Sequence, residues 1–251
     1  MASFVNAGNS YRLTVSSQCK DYNFFYISIS INCITTAHQE AQVKQFVEEW
    51  NEDYITSNKT ISSSSGDERE YYIVKTIFNF ITKNTYYFND LYLDKNHTQY
   101  PVDGAIYKAS HSAYGALFGY LEGAYEDDFT YKKTENGATS YIVDMRYTTD
   151  SQGLNRLNVM NQGLAVCDGY SALFYYMCQY NGIDCAIVLG DYDKSAGKDS
   201  DPHAWNMVKL KDCYDKDYEW YAVDSTFSSQ RTQKISNDFT IVNYDFFLRG
   251  T

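Results

Sequence analysis

The sequence has no CxxC pair, no Cys/His cluster at zinc spacing and no apolar run long enough to span a bilayer. The first two absences remove the local metal boxes, because His38, His97, His111 and His203 are widely separated along the chain. The third removes a helical membrane span. Positive charge is scarce as well: 21 Lys and Arg stand against 32 Asp and Glu, a formal net charge of -11. Such a balance argues against nucleic-acid binding and against an anionic membrane surface, both of which need clustered cations. The opening "MASFVNAGNS" has no basic segment followed by an apolar core, so no secretory signal is readable there. A secreted or cell-surface chain relieved of its signal would read the same way. Proline is nearly missing, at 2 residues, whereas tyrosine numbers 26. A surface rich in Tyr, Asn, Ser and Thr can stack and hydrogen-bond on peptides or sugars, but an AT-rich coding bias would give the same composition.

What is present is enough for a core. At 251 residues and 44% hydrophobic content, the chain fits one large domain or a core with a small appendage. Six cysteines over this length do not make a disulfide scaffold. "FYISISIN" alternates strictly and reads as a half-buried strand, with "YRLTV" as its partner. Thr36 and Gln39 have capping-box spacing ahead of a helix carrying Val43, Phe46, Val47, Trp50 and Tyr54. The polar stretch "SNKTISSSSGDE" then divides the chain into a strand–helix unit at 1–56 and a core at 66–251. A second helix shows Val74, Ile77, Phe78 and Ile81 on one face, and a third lies in "HSAYGALFGYL". An irregular stretch at about 119–162 contains a predicted hairpin turning at Asn136-Gly137.

The last third carries the chemistry. A helix from about Asp168 to Tyr180 ends at Asn181-Gly182, and "CAIVLG" reads as a buried strand. Cys167 stands at the start of that helix, where unsatisfied N–H groups and the helix dipole favour an anion and hence a thiolate. Gly169 permits close approach of the backbone. Cys19, Cys178 and Cys185 read as small apolar core residues. If "HAWNMVKL" and "YEWYAVD" form a hairpin centred between Cys213 and Tyr214, then Val208 faces Glu219, Trp205 faces Ala222, and His203 faces Asp224. Side chains directly opposite in such a pair have Cβ atoms about 4.5–5.5 Å apart. That spacing suits a carboxylate orienting an imidazole, and Cys, His and Asp together are the parts of an activated thiol nucleophile.

"GLAVCDGYSALFYYMCQYNGIDCAIVLG", "DPHAWNMV" and "WYAVDSTF" resemble the bacterial branch of the transglutaminase-like superfamily of papain-type cysteine enzymes. Its Cys-x-Gly-Tyr, His-Ala-Trp-Asn and Asp-x-Thr-aromatic motifs stand here at Cys167, His203 and Asp224 in that order. The likeness extends from about Asp67 to Gly250, through "HSAYGAL" and the closing "NYDFFLRG". In the relatives "HSAYGAL" is often followed closely by the cysteine motif, whereas here residues 118–162 intervene. The resemblance implies an α+β fold, with the nucleophile helix packed on an antiparallel sheet. It also implies Cys167 as nucleophile, His203 as general base and acid, Asp224 as the orienting group, no cofactor, and a peptide or protein substrate. The acyl group would pass through a thioester, with water or a primary amine as acceptor.

Several features keep two readings. Gln162 is either a second oxyanion donor or an exposed loop amide. Trp205 either walls the site from water or packs the core. Asp191, Asp193, Asp199 and Asp201 offer alternating carboxylates of calcium-ligand type, but they lack the EF-hand spacing and closing Glu, so a solvated loop is expected and no metal. The hairpin of the insertion is either a flap beside the groove or an extension of the sheet. The whole scaffold could also hold a peptide or cell-surface glycan without turning it over.

Overall fold

The computed structural model describes residues 10–16, 26–32, 34–87, 109–119, 130–135, 138–143, 147–149, 155–157, 163–192, 201–211, 217–236 and 239–250. Strand β1 (Ser10–Ser16) pairs antiparallel with β2 (Tyr26–Asn32), the strand and partner that alternation predicts. Which way their side chains face lies outside the described residues.

Helix α1 (Ala37–Asn51) begins with the expected capping box. Thr36 Oγ1 accepts from the Gln39 N–H at 3.2 Å, and the Gln39 side chain accepts from the Thr36 N–H at 2.8 Å. Val43, Val47 and Trp50 are buried, and the helix widens into a π turn over Glu52–Thr56 that buries Ile55. The polar stretch that follows holds a short helix, α2 (Lys59–Ser63), capped by Asn58 and pinned by buried Ile61. Helix α3 (Gly66–Asn84) buries Ile73, Val74, Ile77, Phe78 and Ile81, the stripe its periodicity predicts. Val43, Val47, Trp50 and Ile61 belong to the same core cluster as Ile77 and Phe78. One packed interior therefore serves the opening helix and those after it.

Strand β3 (Thr85–Tyr87) leaves α3 directly, and α4 (Ala113–Phe118) is capped by Ser112 Oγ, which accepts from Gly115 N–H. In the insertion, β4 (Thr130–Glu135) pairs antiparallel with β5 (Ala138–Val143), and Glu135 lies opposite Ala138. That leaves Asn136-Gly137 as the two-residue connection, which itself lies outside the described residues. Strands β6 (Tyr147–Thr149) and β7 (Asn155–Leu157) make a second short pair.

Strand β8 (Gly163–Ala165) runs parallel to β3 and feeds α5 (Cys167–Tyr180). Helix α5 packs against α3 and α4, and against three elements described below, the strands β9 and β10 and the helix α6. Tyr170, Ala172, Leu173, Phe174, Met177 and Cys178 are buried in it. It ends in a Schellman closure, with Gly182 N–H on Gln179 C=O and Ile183 N–H on Cys178 C=O. Behind it lies a four-stranded antiparallel sheet in the order β14 (Arg249–Gly250), β11 (Tyr218–Val223), β10 (Asp201–Lys211), β9 (Cys185–Tyr192). Along β10, Ala204, Asn206, Val208 and Leu210 are buried, while the residues between them stand on the other face. Helix α6 (Ser225–Arg231) and the pair β12 (Gln233–Ser236) and β13 (Phe239–Ile241) complete the order. The fold is α+β.

Two expectations are corrected. The hairpin register is displaced by two: Lys211 pairs with Tyr218, Val208 with Tyr221 and Asn206 with Val223. The midpoint of the connection therefore falls one residue later than expected. A shift of two keeps every side chain on its face, so His203 and Asp224 remain partners but meet diagonally. "CAIVLG" is not a fully buried strand either. Among the described residues β9 is the edge of the sheet, and its Leu189 is 77% exposed.

Candidate active site

The sulfur of Cys167 sits on the first residue of α5, and no side chain caps Val166 before it. Of the helix N–H groups that such a cap would occupy, that of Gly169 donates instead to Asp168 Oδ1 at 3.0 Å. Gly169 allows this start to lie against the 109–112 turn. A Cβ there would come within 2.5 Å of the Ser110 carbonyl oxygen, and Val166 N–H already donates to that oxygen at 2.9 Å. Backbone, not a yielding side chain, forbids anything larger.

His203 stands near the start of β10, and Asp224 follows the end of β11. The His203 Nε2 and Asp224 Oδ2 are 2.6 Å apart, with only 10% and 12% of the two side chains exposed. Asp224 also caps α6, its Oδ1 accepting from Phe227 N–H at 2.9 Å. The same turn lays the Phe227 ring on the imidazole, with centroids 4.4 Å apart and planes 18° apart. Trp205 stacks more loosely on His203 at 6.0 Å. Its indole lies over Gly190, where a Cβ would come within 2.7 Å of the ring.

Burial presses His203 towards the neutral form. Hydrogen bonds to Asp224 and to Cys167, and the charge those two groups carry, outweigh it and raise its pKa from 6.5 to about 9. The imidazole therefore holds its proton at neutral pH with a carboxylate on Nε2 and the thiol as a second partner. Cys167, His203 and Asp224 come together, with Trp205 beside them. Gln162, Asp193 and Asp199 lie outside the described residues, and Asp191 is exposed at the end of β9.

The remaining motif residues hold this geometry. The hydroxyl of fully buried Tyr170 donates to Thr85 C=O at 2.7 Å and meets Ser229 Oγ at 2.9 Å, joining α5 to β3 and α6. Burial raises that phenol well above its ordinary pKa, so it stays a donor. Asn206, wholly buried, donates from Nδ2 to Ser171 C=O at 3.1 Å and locks β10 to α5. Cys178 and Cys185 are buried thiols, and burial pushes Cys178 well above the usual thiol range.

One pair escaped the sequence reading. His111 Nδ1 lies 2.5 Å from Asp168 Oδ2, and Asp168 Oδ1 accepts from Gly169 N–H at 3.0 Å. The signal was available in the His of "HSAYGAL" and in the acid directly after the cysteine.

Residues 124–225 match the model of the Transglutaminase-like superfamily, a span that contains Cys167, His203 and Asp224. The chain is similar to that superfamily over this span, which is less than half of its length. Among curated proteins it is similar to kyphoscoliosis peptidase of Mus musculus, 30% identical over 114 residues, and of Homo sapiens, 31% identical over 114 residues. Each alignment covers 43% of this chain and 16% of the relative, so the chain spans a small part of those proteins.

Proposed function

We propose that the protein is a cysteine-nucleophile acyl-transfer enzyme acting on amide bonds of peptides or proteins. The observation that carries this reading is the His203 imidazole, hydrogen-bonded both to Asp224 and to the Cys167 thiol. In the reaction, Cys167 Sγ attacks the amide carbonyl carbon and the carbonyl oxygen takes up the negative charge. The backbone N–H of Cys167 is the candidate donor to it. Collapse breaks the C–N bond, the proton on His203 passes to the leaving nitrogen, and a thioester remains on Cys167. His203, now neutral, takes a proton from the acceptor as it attacks, and the thiolate leaves. Asp224 keeps the ring in the tautomer and orientation both steps need. The name of the mammalian relatives, a peptidase, supports water as the acceptor.

The test is covalent labelling with iodoacetamide near neutral pH, alongside turnover of glutamine peptides with and without an amine donor. Wild type is expected to label selectively at Cys167 and to release ammonia or a peptide amine. Cys167→Ala is expected to lose both with its fold intact, since loss of one sulfur costs on the order of 1 kcal/mol. A Cys167 that reacts no faster than a free thiol would leave a scaffold that binds peptide or glycan without turning it over.

A further inference from the structure

We infer that His111 is a positioning residue for the nucleophile, acting through Asp168; the inference rests on the reading of Cys167 given above. Asp168 follows Cys167 directly, so the two share the first turn of α5. An unpartnered anion there opposes formation of a second anion at sulfur. In this protein Asp168 is not left to itself. His111 Nδ1 donates to Oδ2 at 2.5 Å while Gly169 N–H donates to Oδ1, so both carboxylate oxygens are engaged. Because a carboxylate only accepts, the proton sits on Nδ1 of His111. The two side chains are 22% and 25% exposed, which leaves their interaction partly shielded from water.

Geometry points the same way. His111 belongs to the 109–112 turn, which grips the start of α5 through the Val166 N–H to Ser110 C=O bond and through the close approach at Gly169. The same turn then caps α4 with Ser112. His111 thus fixes the place of the carboxylate in the turn that carries Cys167. The titratable side chains gathered at this end of α5, among the described residues, are Cys167 and Asp168 of the helix itself, His111 of the turn, His203 of β10, and Asp224 ahead of α6. Of these, Asp168 is the anion nearest the thiol in the chain, and His111 is its side-chain partner.

The experiment measures the rate of Cys167 alkylation by iodoacetamide against pH, with the melting temperature of each variant. In His111→Ala the freed Asp168 charge should raise the pH midpoint of alkylation by about one unit and slow the reaction at neutral pH about tenfold. Removing that charge as well, in the double variant His111→Ala/Asp168→Asn, should return rate and midpoint to within about twofold of wild type. His111→Asn retains an N–H donor where Nδ1 stands and should stay close to wild type. A purely structural role predicts the reverse, with the double variant as slow as His111→Ala or slower. That result, an unshifted midpoint in His111→Ala, or a His111→Asn as slow as the alanine variant, overturns the inference. Should His111→Ala fail to fold, the asparagine variant and Asp168→Asn alone decide it, the latter expected to keep or lower the wild-type midpoint. If wild-type Cys167 itself alkylates no faster than a free thiol, the enzyme reading fails. If it alkylates rapidly and His111→Ala does so equally, only the positioning role fails.

Discussion

His203–Asp224 and His111–Asp168 are built from the same two residue types at nearly the same separation, 2.6 Å and 2.5 Å, yet they stand in different relation to the sulfur. The first offers its carboxylate to Nε2 and has the Cys167 thiol as a second partner, and Phe227 covers its ring. The second uses Nδ1 for its carboxylate, which is the neighbour of the thiol along the chain. Each carboxylate also accepts a backbone N–H at a helix start, from Phe227 in one case and from Gly169 in the other. The difference lies in which partner the imidazole serves. Where it meets the thiol it can move a proton, and where it meets the neighbouring acid it can hold that acid in position.

Removing the imidazoles separates the two most sharply. His203→Ala should lower amide turnover by about 10²–10⁴-fold, the usual share of a positioned general acid and base, against about tenfold in alkylation for His111→Ala. Single-turnover kinetics on a labile glutamine peptide checks the first figure, and comparable losses in the two variants would erase the distinction. Asp224 sharpens it next. Asp224→Asn keeps an oxygen for Phe227 N–H but loses the charge facing His203, so turnover should fall about 10²-fold in the same single-turnover assay. Asp224→Ala should also lose about 1 kcal/mol of stability with the helix cap, visible in a urea melt.

A further effect is thermodynamic. His203 is raised to about 9 in the folded chain from 6.5, so the folded state binds its proton more tightly than the unfolded one. The stabilisation is complete below pH 6.5, declines as pH rises, and is gone above about 9. It amounts to about 3 kcal/mol at most. Melting curves from pH 6 to 10 should show the decline in wild type and a shallower one in His203→Ala. Identical slopes would mean that the histidine contributes no such linkage.

Much of this arrangement is legible in the residues because its determinants are local. The capping box at Thr36 and Gln39, the apolar stripe of α3, the two-residue gap between β4 and β5 and the stop at Asn181-Gly182 each need only a few neighbouring residues. The pairing partner of His203 is legible to the correct face but not to the correct rung. Alternation fixes the face, whereas the rung depends on how many residues the polar connection absorbs. The parallel β3–β8 pair is invisible to pattern reading, since three-residue strands carry too little periodicity. The exposure of Leu189 is hidden for another reason: an apolar run reads as interior wherever the order of strands is unknown. His111 and Asp168 stand 57 residues apart, and only the tertiary fold brings them together.

The Tyr170 hydroxyl has a consequence for the order in which the protein becomes chemically competent. It bridges a carbonyl 85 residues before it and a hydroxyl 59 residues after it, so the clasp that seats α5 closes only when distant parts of the chain have met. Contacts of that span carry a high loop-closure cost and make for slow folding. The chain emerges from synthesis with Cys167 ahead of His203, and His203 ahead of Asp224. A nascent chain that has reached the thiol has no base, and one that has reached the base has no carboxylate to orient it. The Asp224 N–H is held in turn by Phe246 C=O, close to the last described residue. The sulfur is therefore armed by residues that all follow it in the chain.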